Sequence, residues 1–135
     1  MADLSITASS VLPGAGAITE DGISGATITA GQAVYKAADG TWALADADSA
    51  TALARDAKGI ALNGASAGQP IKVQKGGELT VNAVLTAGTT YYLSGTAGGI
   101  CPLADVGTGE YYDIIAIAKS TTNLKLLFGY SGVSA

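Results

Sequence analysis

The chain has 135 residues, of which 48% are hydrophobic, 6% aromatic and 13% charged, and its formal net charge is −4. A chain of this length and apolar content can bury a hydrophobic core, so we expect one globular domain, with or without a tail. Its seven lysines and arginines are scattered singly between Lys36 and Lys125, so we expect no basic surface for direct nucleic-acid binding.

The segment over residues 1–25 is predicted to form a glycine-rich N-terminal arm. Residues 4–8 have the composition of a short strand, but proline and glycine interrupt the rest of the segment. An arm that packs on a neighbouring molecule fits this composition, and a frayed terminus followed by an ordinary first strand is the alternative. We therefore predict an arm over residues 1–25 and a β domain over residues 26–135, and we expect residues 26–128 to fold without the arm.

The pattern along the chain is that of an all-β protein, because short runs of β-branched and other apolar residues alternate with glycine-containing turns. The predicted strands cover residues 4–8, 16–19, 32–37, 41–45, 59–62, 70–74, 78–84, 90–94, 99–103, 111–119 and 123–128. One short helix is predicted over residues 49–56, where Ser49 can cap the first turn.

An internal repeat gives the most information about the architecture. The run ITAGQAVY over residues 28–35 reappears as LTAGTTYY over residues 85–92, and residues 59–61 match residues 116–118 at the same spacing. Two copies are too few for a solenoid. We therefore predict a small barrel or sandwich built from a duplicated β-unit, in which two half-sheets share a core and protect their edges.

The sequence offers little for catalysis, so we expect no enzyme, no cofactor and no metal site. The chain has no histidine, which excludes Ser-His-Asp and Cys-His arrangements. All of the acids are predicted to be solvated residues in or beside turns. Asp46 and Asp48 resemble the start of a calcium loop, but Ala50 stands where another oxygen ligand is required. A cluster at a helix N-terminus is the preferred interpretation, and Cys101 is predicted to be a small buried residue.

Trp42 and the six tyrosines are the remaining candidates for a binding surface, since aromatic rings can stack on sugars or bases. In the pairs Tyr91–Tyr92 and Tyr111–Tyr112, neighbouring strand residues should point to opposite faces. We therefore favour packing in the core or at a subunit interface.

No segment of the sequence has the features of a targeting signal or the length of a membrane-spanning helix. We expect the protein to be made and kept in a cytoplasm, or to leave it by a route other than secretion.

Three segments of the chain resemble a known family. Residues 57–73 resemble the pattern G-I-A-L, small residues, A-G-x-P-V-x-V, with Ile71 in place of its first valine, and residues 85–93 and 111–118 are similar to repeats of phage head-decoration and fibre proteins. The resemblance is to the capsid decoration, or cement, proteins of tailed bacteriophages. It implies a β-rich virion protein, commonly a homotrimer, that binds the major capsid protein on the outer capsid surface and is assembled in the host cytoplasm. No catalytic residues come with the family.

The predicted arm is the expected capsid contact, since its apolar residues could anchor an extended segment on a neighbouring subunit. The anchors are Leu4, Ile6, Val11, Leu12 and Ile18. A phage fibre, a receptor-binding module or a carbohydrate-binding β module is the alternative function, and a bacterial enzyme is a more distant one.

Overall fold

The computed structural model describes residues 3–135 as an all-β protein with two antiparallel sheets, which confirms the predicted class. The first sheet has the order β2 (Ile18–Ile23), β6 (Pro70–Gly76), β5 (Gly59–Ala61), β3 (Ala33–Lys36) and β4 (Trp42–Leu44). The second sheet has the order β1 (Leu12–Pro13), β7 (Glu78–Thr80), β11 (Asn123–Ser134), β10 (Tyr111–Ala118), β8 (Thr90–Leu93) and β9 (Ile100–Pro102). Single turns of 3-10 helix occupy Ala8–Ser10, Ala52–Arg55 and Leu103–Asp105.

Of the two predicted architectures, the sandwich-like one fits, because neither sheet closes into a barrel. The main core contains inward-facing residues of both sheets, among them Ile60 of the first sheet and Leu124 of the second. A smaller core, which includes Val34, Trp42 and Val73, lies on the other face of the first sheet. The first sheet is therefore covered by apolar groups on both faces.

The two sheets share one strand order. The order β2-β6-β5-β3-β4 of the first sheet corresponds to β7-β11-β10-β8-β9 of the second, to which β1 adds an edge strand. The register agrees as well, since Ala33 pairs with Ile60 and Thr90 pairs with Ile117. Thr90 follows Ala33 in the sequence, and Ile117 follows Ile60, by the same number of residues that separates the two copies of the sequence repeat.

Residues 3–25 do not form a separate arm, so the predicted boundary at residue 25 is wrong for them. Strand β2 pairs with β6 along its whole length, and β1 pairs with β7. Val11 is buried in the main core. Gly14 and Gly16 do not end the folded structure, because the chain crosses from one sheet to the other at these residues. Glycine suits both positions: a Cβ on Gly14 would come 2.9 Å from the Glu78 carbonyl oxygen, and Gly16 has a φ of +67°. Residues 1 and 2 of the predicted arm lie outside the described part.

Residues 12–23 and 70–80 together form a two-stranded ribbon, the edge ribbon, that runs along both sheets. Between its two strand pairs, the Gly14 N–H donates to the Glu78 carbonyl at 2.7 Å, and the Glu78 N–H donates to the Ala15 carbonyl at 3.0 Å. The buried Gln74 side chain holds the bend, since its Nε2 donates to the carbonyls of Gly76 at 3.0 Å and Glu78 at 2.7 Å. The edge ribbon therefore ties the two sheets together.

Replacing Gln74 by leucine should lower the free energy of unfolding by about 1–3 kcal/mol, because two carbonyl groups would lose their side-chain donor in a buried place. Urea denaturation measures the change. Gln69→Leu is the matched control, since Gln69 is exposed and its side chain accepts a single hydrogen bond from the exposed Ser66 N–H. An equal loss in both variants would show that the Gln74 amide does not hold the bend.

The helix predicted over residues 49–56 is wrong in extent, since only Ala52–Arg55 forms one 3-10 turn. Thr51 is the residue before it, and the Ser49 hydroxyl accepts the Thr51 N–H instead of capping a helix. So short a segment depends on tertiary contacts. The predicted strand over residues 4–8 is also not a strand, although the Leu4 N–H donates to the Ile100 carbonyl at 2.8 Å.

Candidate functional site

The edge ribbon carries three large apolar side chains that are open to solvent. Leu12 is 58% exposed, Ile18 is 62% exposed and Ile23 is 46% exposed. All three belong to β1 and β2, which are the outermost strands of the second and the first sheet. Apart from one bridge between Ser24 and Trp42, the outer backbone edge of these strands pairs with no other strand among residues 3–135.

The structure divides the five predicted capsid-binding residues into two groups. Leu4 and Ile6 are half-buried and pack against the main core, which contains Val11 itself. Only Leu12 and Ile18 are free to contact another molecule. Strand alternation could have separated Val11 from Leu12 in the sequence, because neighbouring strand residues point to opposite faces.

Ion pairs surround the exposed apolar residues of β2. The Glu20 carboxylate accepts Lys36 Nζ at 2.9 Å and Lys75 Nζ at 3.0 Å. The hydrogen bonds to Lys36 and then to Lys75 lower the pKa of Glu20. Lys72 lies 3.6 Å from Asp21 on the same strand pair. This edge of the molecule therefore combines apolar side chains with paired charges.

A second candidate surface is the face of the second sheet that points away from the main core. This outer face includes Thr90, Tyr92, Tyr112, Ile114, Ile117, Lys125 and Leu127, together with Glu78, which lies opposite Lys125 on β7. Their neighbours along the strands, such as Tyr91, Ala116 and Leu126, belong to the main core. The rings of Tyr92 and Tyr112 lie edge to face with centroids 6.3 Å apart. The prediction that Tyr91 and Tyr92 point to opposite faces is thus confirmed.

Asp113 is an acidic residue of the described part that lies away from solvent. The prediction that all acids are solvated residues in or beside turns is therefore wrong for this position. It lies in β10 and is fully buried. Its Oδ2 accepts the Ala57 N–H at 2.7 Å, whereas Oδ1 has no hydrogen-bond partner. Burial raises the pKa of Asp113 to about 7. Asp113 therefore links β10 to the loop before β5 at the cost of a desolvated carboxyl group.

Asp46 and Asp48 form a turn, since the Asp48 N–H donates to the Asp46 carboxylate at 3.2 Å. Burial and the neighbouring Asp48 raise the pKa of Asp46 to about 6. Within residues 3–135, no three histidine, cysteine or acidic side chains are grouped so that they could hold a metal ion. Cys101 is buried as predicted, and desolvation raises its pKa to about 12.

A groove of about 320 Å³ lies between the N-terminal segment and two turns. Residues 3–6, 29–32 and 96–100 line it. Its one acidic side chain, Asp3, accepts a hydrogen bond from the Ser94 hydroxyl. The side chains of Ser5, Thr29, Gln32 and Thr96 also line the groove.

In the described residues, no helix has the length and apolar character required to cross a bilayer. The chain matches no protein-family model, and a search of curated proteins gives no significant match.

Proposed function

We propose that the protein is a structural virion protein of a tailed bacteriophage, which binds the outer surface of the capsid and stabilises the capsomer lattice. The sequence resemblance of residues 57–73, 85–93 and 111–118 points to this class. The structural observation that supports it is the edge ribbon, whose outermost strands β1 and β2 expose Leu12, Ile18 and Ile23 and, apart from the Ser24–Trp42 bridge, have no strand on their outer side within residues 3–135. The proposed partner at this edge is the major capsid protein.

An open strand edge with apolar side chains binds an extended segment by adding it as a further strand. The backbone groups of the edge supply hydrogen bonds, and the side chains supply apolar contacts. Full burial of one such side chain contributes about 1.5–3 kcal/mol. Three of them therefore give a modest interface, because association itself has a large entropic cost.

Several copies bound together would compensate for a modest interface. A homotrimer, which the resemblance implies, would hold each edge ribbon near its binding site after one contact is lost. The proposal includes a fold built from a duplicated β-unit, in agreement with the common strand order of the two sheets. It includes no catalytic activity, no cofactor and no direct contact with nucleic acid or membrane.

The double variant Leu12→Asp, Ile18→Asp should weaken binding to undecorated capsids by at least about 100-fold, because two carboxylates would be buried without partners in the interface. Co-sedimentation of the purified protein with capsids measures the affinity. Leu53→Asp, Leu103→Asp is the matched control, since these leucines are similarly exposed but lie in 3-10 turns away from the ribbon. Unchanged binding of the ribbon variant would contradict the proposed contact, and a wild-type protein that ignores capsids would contradict the function.

A receptor-binding or carbohydrate-binding module is the second candidate, because the edge-to-face pair Tyr92–Tyr112 presents half-buried rings on the outer face. Binding of the wild-type protein to a glycan array, with loss of binding in Tyr92→Ala, would favour this function over capsid decoration.

A further inference from the structure

We infer that Asn63 is a site of self-modification, at which the backbone nitrogen of Gly64 displaces the side-chain amide as ammonia and water then leaves an aspartyl or isoaspartyl residue. Asn63 and Gly64 lie in the loop between β5 and β6. The chain has three asparagines, Asn63, Asn82 and Asn123, and Asn63 alone precedes a glycine. The inference goes beyond the proposed function and does not depend on it.

The attacking nitrogen is accessible. The Gly64 N–H donates to no acceptor among residues 3–135, and Gly64 is exposed. Apart from its chain neighbours, a Cβ built on Gly64 would have one neighbour within 4 Å, the Ile28 carbonyl oxygen at 3.7 Å. The space around this nitrogen is therefore open, and glycine gives the backbone the freedom that ring closure requires.

The side-chain amide of Asn63 is polarised by a backbone donor. The Lys72 N–H donates to Asn63 Oδ1 at 2.7 Å. A donor at this oxygen stabilises the negative charge that develops there when a nucleophile adds to Cγ, as in an oxyanion hole. Asn63 Nδ2 donates to the carbonyl oxygens of Gly64 at 3.0 Å and Pro70 at 3.3 Å. The first of these bonds keeps the amide beside the residue whose nitrogen attacks it.

The reaction consumes water and releases ammonia, with no oxidation or reduction. Gly64 N forms a bond to Asn63 Cγ and loses its proton, the Cγ–Nδ2 bond breaks, and the ammonia that leaves carries the proton away. Water then opens the resulting succinimide ring at one of its two carbonyl carbons. Attack at Cγ gives the normal backbone with an aspartate side chain, whereas attack at the backbone carbonyl carbon gives an isoaspartyl residue.

Conversion of Asn63 weakens a loop that supports the edge ribbon. A carboxylate at residue 63 has no donor for the two carbonyl groups that Nδ2 bonds. The same loop is joined to Ser24, which follows β2: the Ser24 N–H donates to the Gln69 carbonyl at 2.9 Å, and the Gly68 N–H donates to the Ser24 carbonyl at 2.7 Å. Amide hydrogen exchange over residues 62–70 should therefore be faster in the converted protein, and unchanged exchange would contradict this consequence.

The experiment incubates the purified full chain at mildly alkaline pH and follows each asparagine by peptide mass spectrometry and by isoaspartyl-specific enzymatic methylation. Asn63 should convert at least about 10-fold faster than Asn82, because Ala83 carries the Cβ that glycine lacks. Asn82 is the matched internal control, since its Oδ1 accepts the Thr7 N–H at 2.9 Å, its Nδ2 donates to the Ser5 carbonyl at 3.0 Å, and both asparagines are half-buried.

Gly64→Ala is the variant that should block the reaction, with conversion of Asn63 slowed at least about 10-fold. The variant should fold, because the added Cβ makes only an ordinary contact and residue 64 does not have a positive φ. Circular dichroism verifies the fold. The wild-type chain unfolded in urea is the positive control for the chemistry.

The outcomes decide the inference independently of capsid binding. A folded protein that keeps Asn63 intact while the unfolded chain converts it would overturn the inference, because the fold would then hold the amide away from Gly64 N. Equal conversion of Asn63 and Asn82, or undiminished conversion in Gly64→Ala, would overturn it as well. Conversion of Asn63 in the folded protein that exceeds conversion of Asn82 and is lost in Gly64→Ala supports it.

Discussion

Removal of residues 2–20 is expected to leave a largely unfolded protein. The deletion takes away β1, the first half of β2 and the buried Val11, together with Leu4 and Ile6, which pack on the main core. Each large apolar side chain that leaves the core costs about 1.5–3 kcal/mol, and the lost strand pairing exposes an edge in both sheets. The total is comparable with the whole stability of a typical domain, about 5–15 kcal/mol. Circular dichroism and urea denaturation measure the loss.

Removal of residues 132–135 is the matched control. These residues are exposed, although the Ala135 N–H donates to the Glu110 carbonyl at the end of the strand pair. Loss of such peripheral contacts should lower the free energy of unfolding by no more than about 1–2 kcal/mol. If the N-terminal deletion unfolds cooperatively at the same urea concentration as the full chain, then the deleted segment does not belong to the core, and the arm predicted from the sequence is correct.

Stability should be higher at pH 4–5 than at pH 8. Folding raises the pKa of Asp113 from 3.8 to about 7, because its carboxyl group is buried with one hydrogen bond. Between these values the folded state keeps a proton that the unfolded state has lost, so the free energy of unfolding falls as the pH rises through this window. At about 1.4 kcal/mol per pH unit, the contribution of Asp113 is on the order of 4 kcal/mol. The raised pKa of Asp46, about 6, acts in the same direction.

Asp113→Asn should remove most of this pH dependence, because an asparagine can still accept the Ala57 N–H but does not titrate. Urea denaturation at pH 4.5, 6 and 8 compares the variant with the wild-type protein. Asp39→Asn is the control, since hydrogen bonds from Thr41 lower the pKa of the exposed Asp39 and its effect has the opposite sign. A wild-type protein that is equally stable at pH 4.5 and 8 would show that Asp113 is ionised in the fold without penalty.

The strands that could be predicted best from the sequence are those that follow a recognisable turn. Residues 33–36 and 90–93 follow the same Thr-Ala-Gly turn, in which Gly31 and Gly88 both adopt a positive φ. Glycine is favoured in such turns because it lacks a Cβ. The positions of β3 and β8 could therefore be predicted from local sequence.

The wrong predictions of a separate arm and of a solvated Asp113 have the same cause. At both places, contacts between residues far apart in the sequence determine the structure. Proline and glycine residues such as Pro13 and Gly14 interrupt the strand pattern both where a folded domain ends and where an edge strand lies. Only the pairing of β1 with β7 shows that this segment is an edge strand. Asp113 lies between Tyr112 and Ile114 in an apolar run, yet its buried partner, the Ala57 N–H, belongs to the other half of the chain. No local pattern identifies such a partner.

The edge ribbon also has a consequence for the time course of folding. Its first strand, residues 12–23, is synthesised long before its partner, residues 70–80. During synthesis at about 5–20 residues per second, the first strand must remain without its partner for roughly 3–12 seconds. Val11, which is buried in the folded protein, stays accessible in this interval. The nascent chain should therefore be most prone to aggregation, and most dependent on chaperones, before residue 80 has left the ribosome, and folding should be slow for a protein of this size because its contacts are largely non-local.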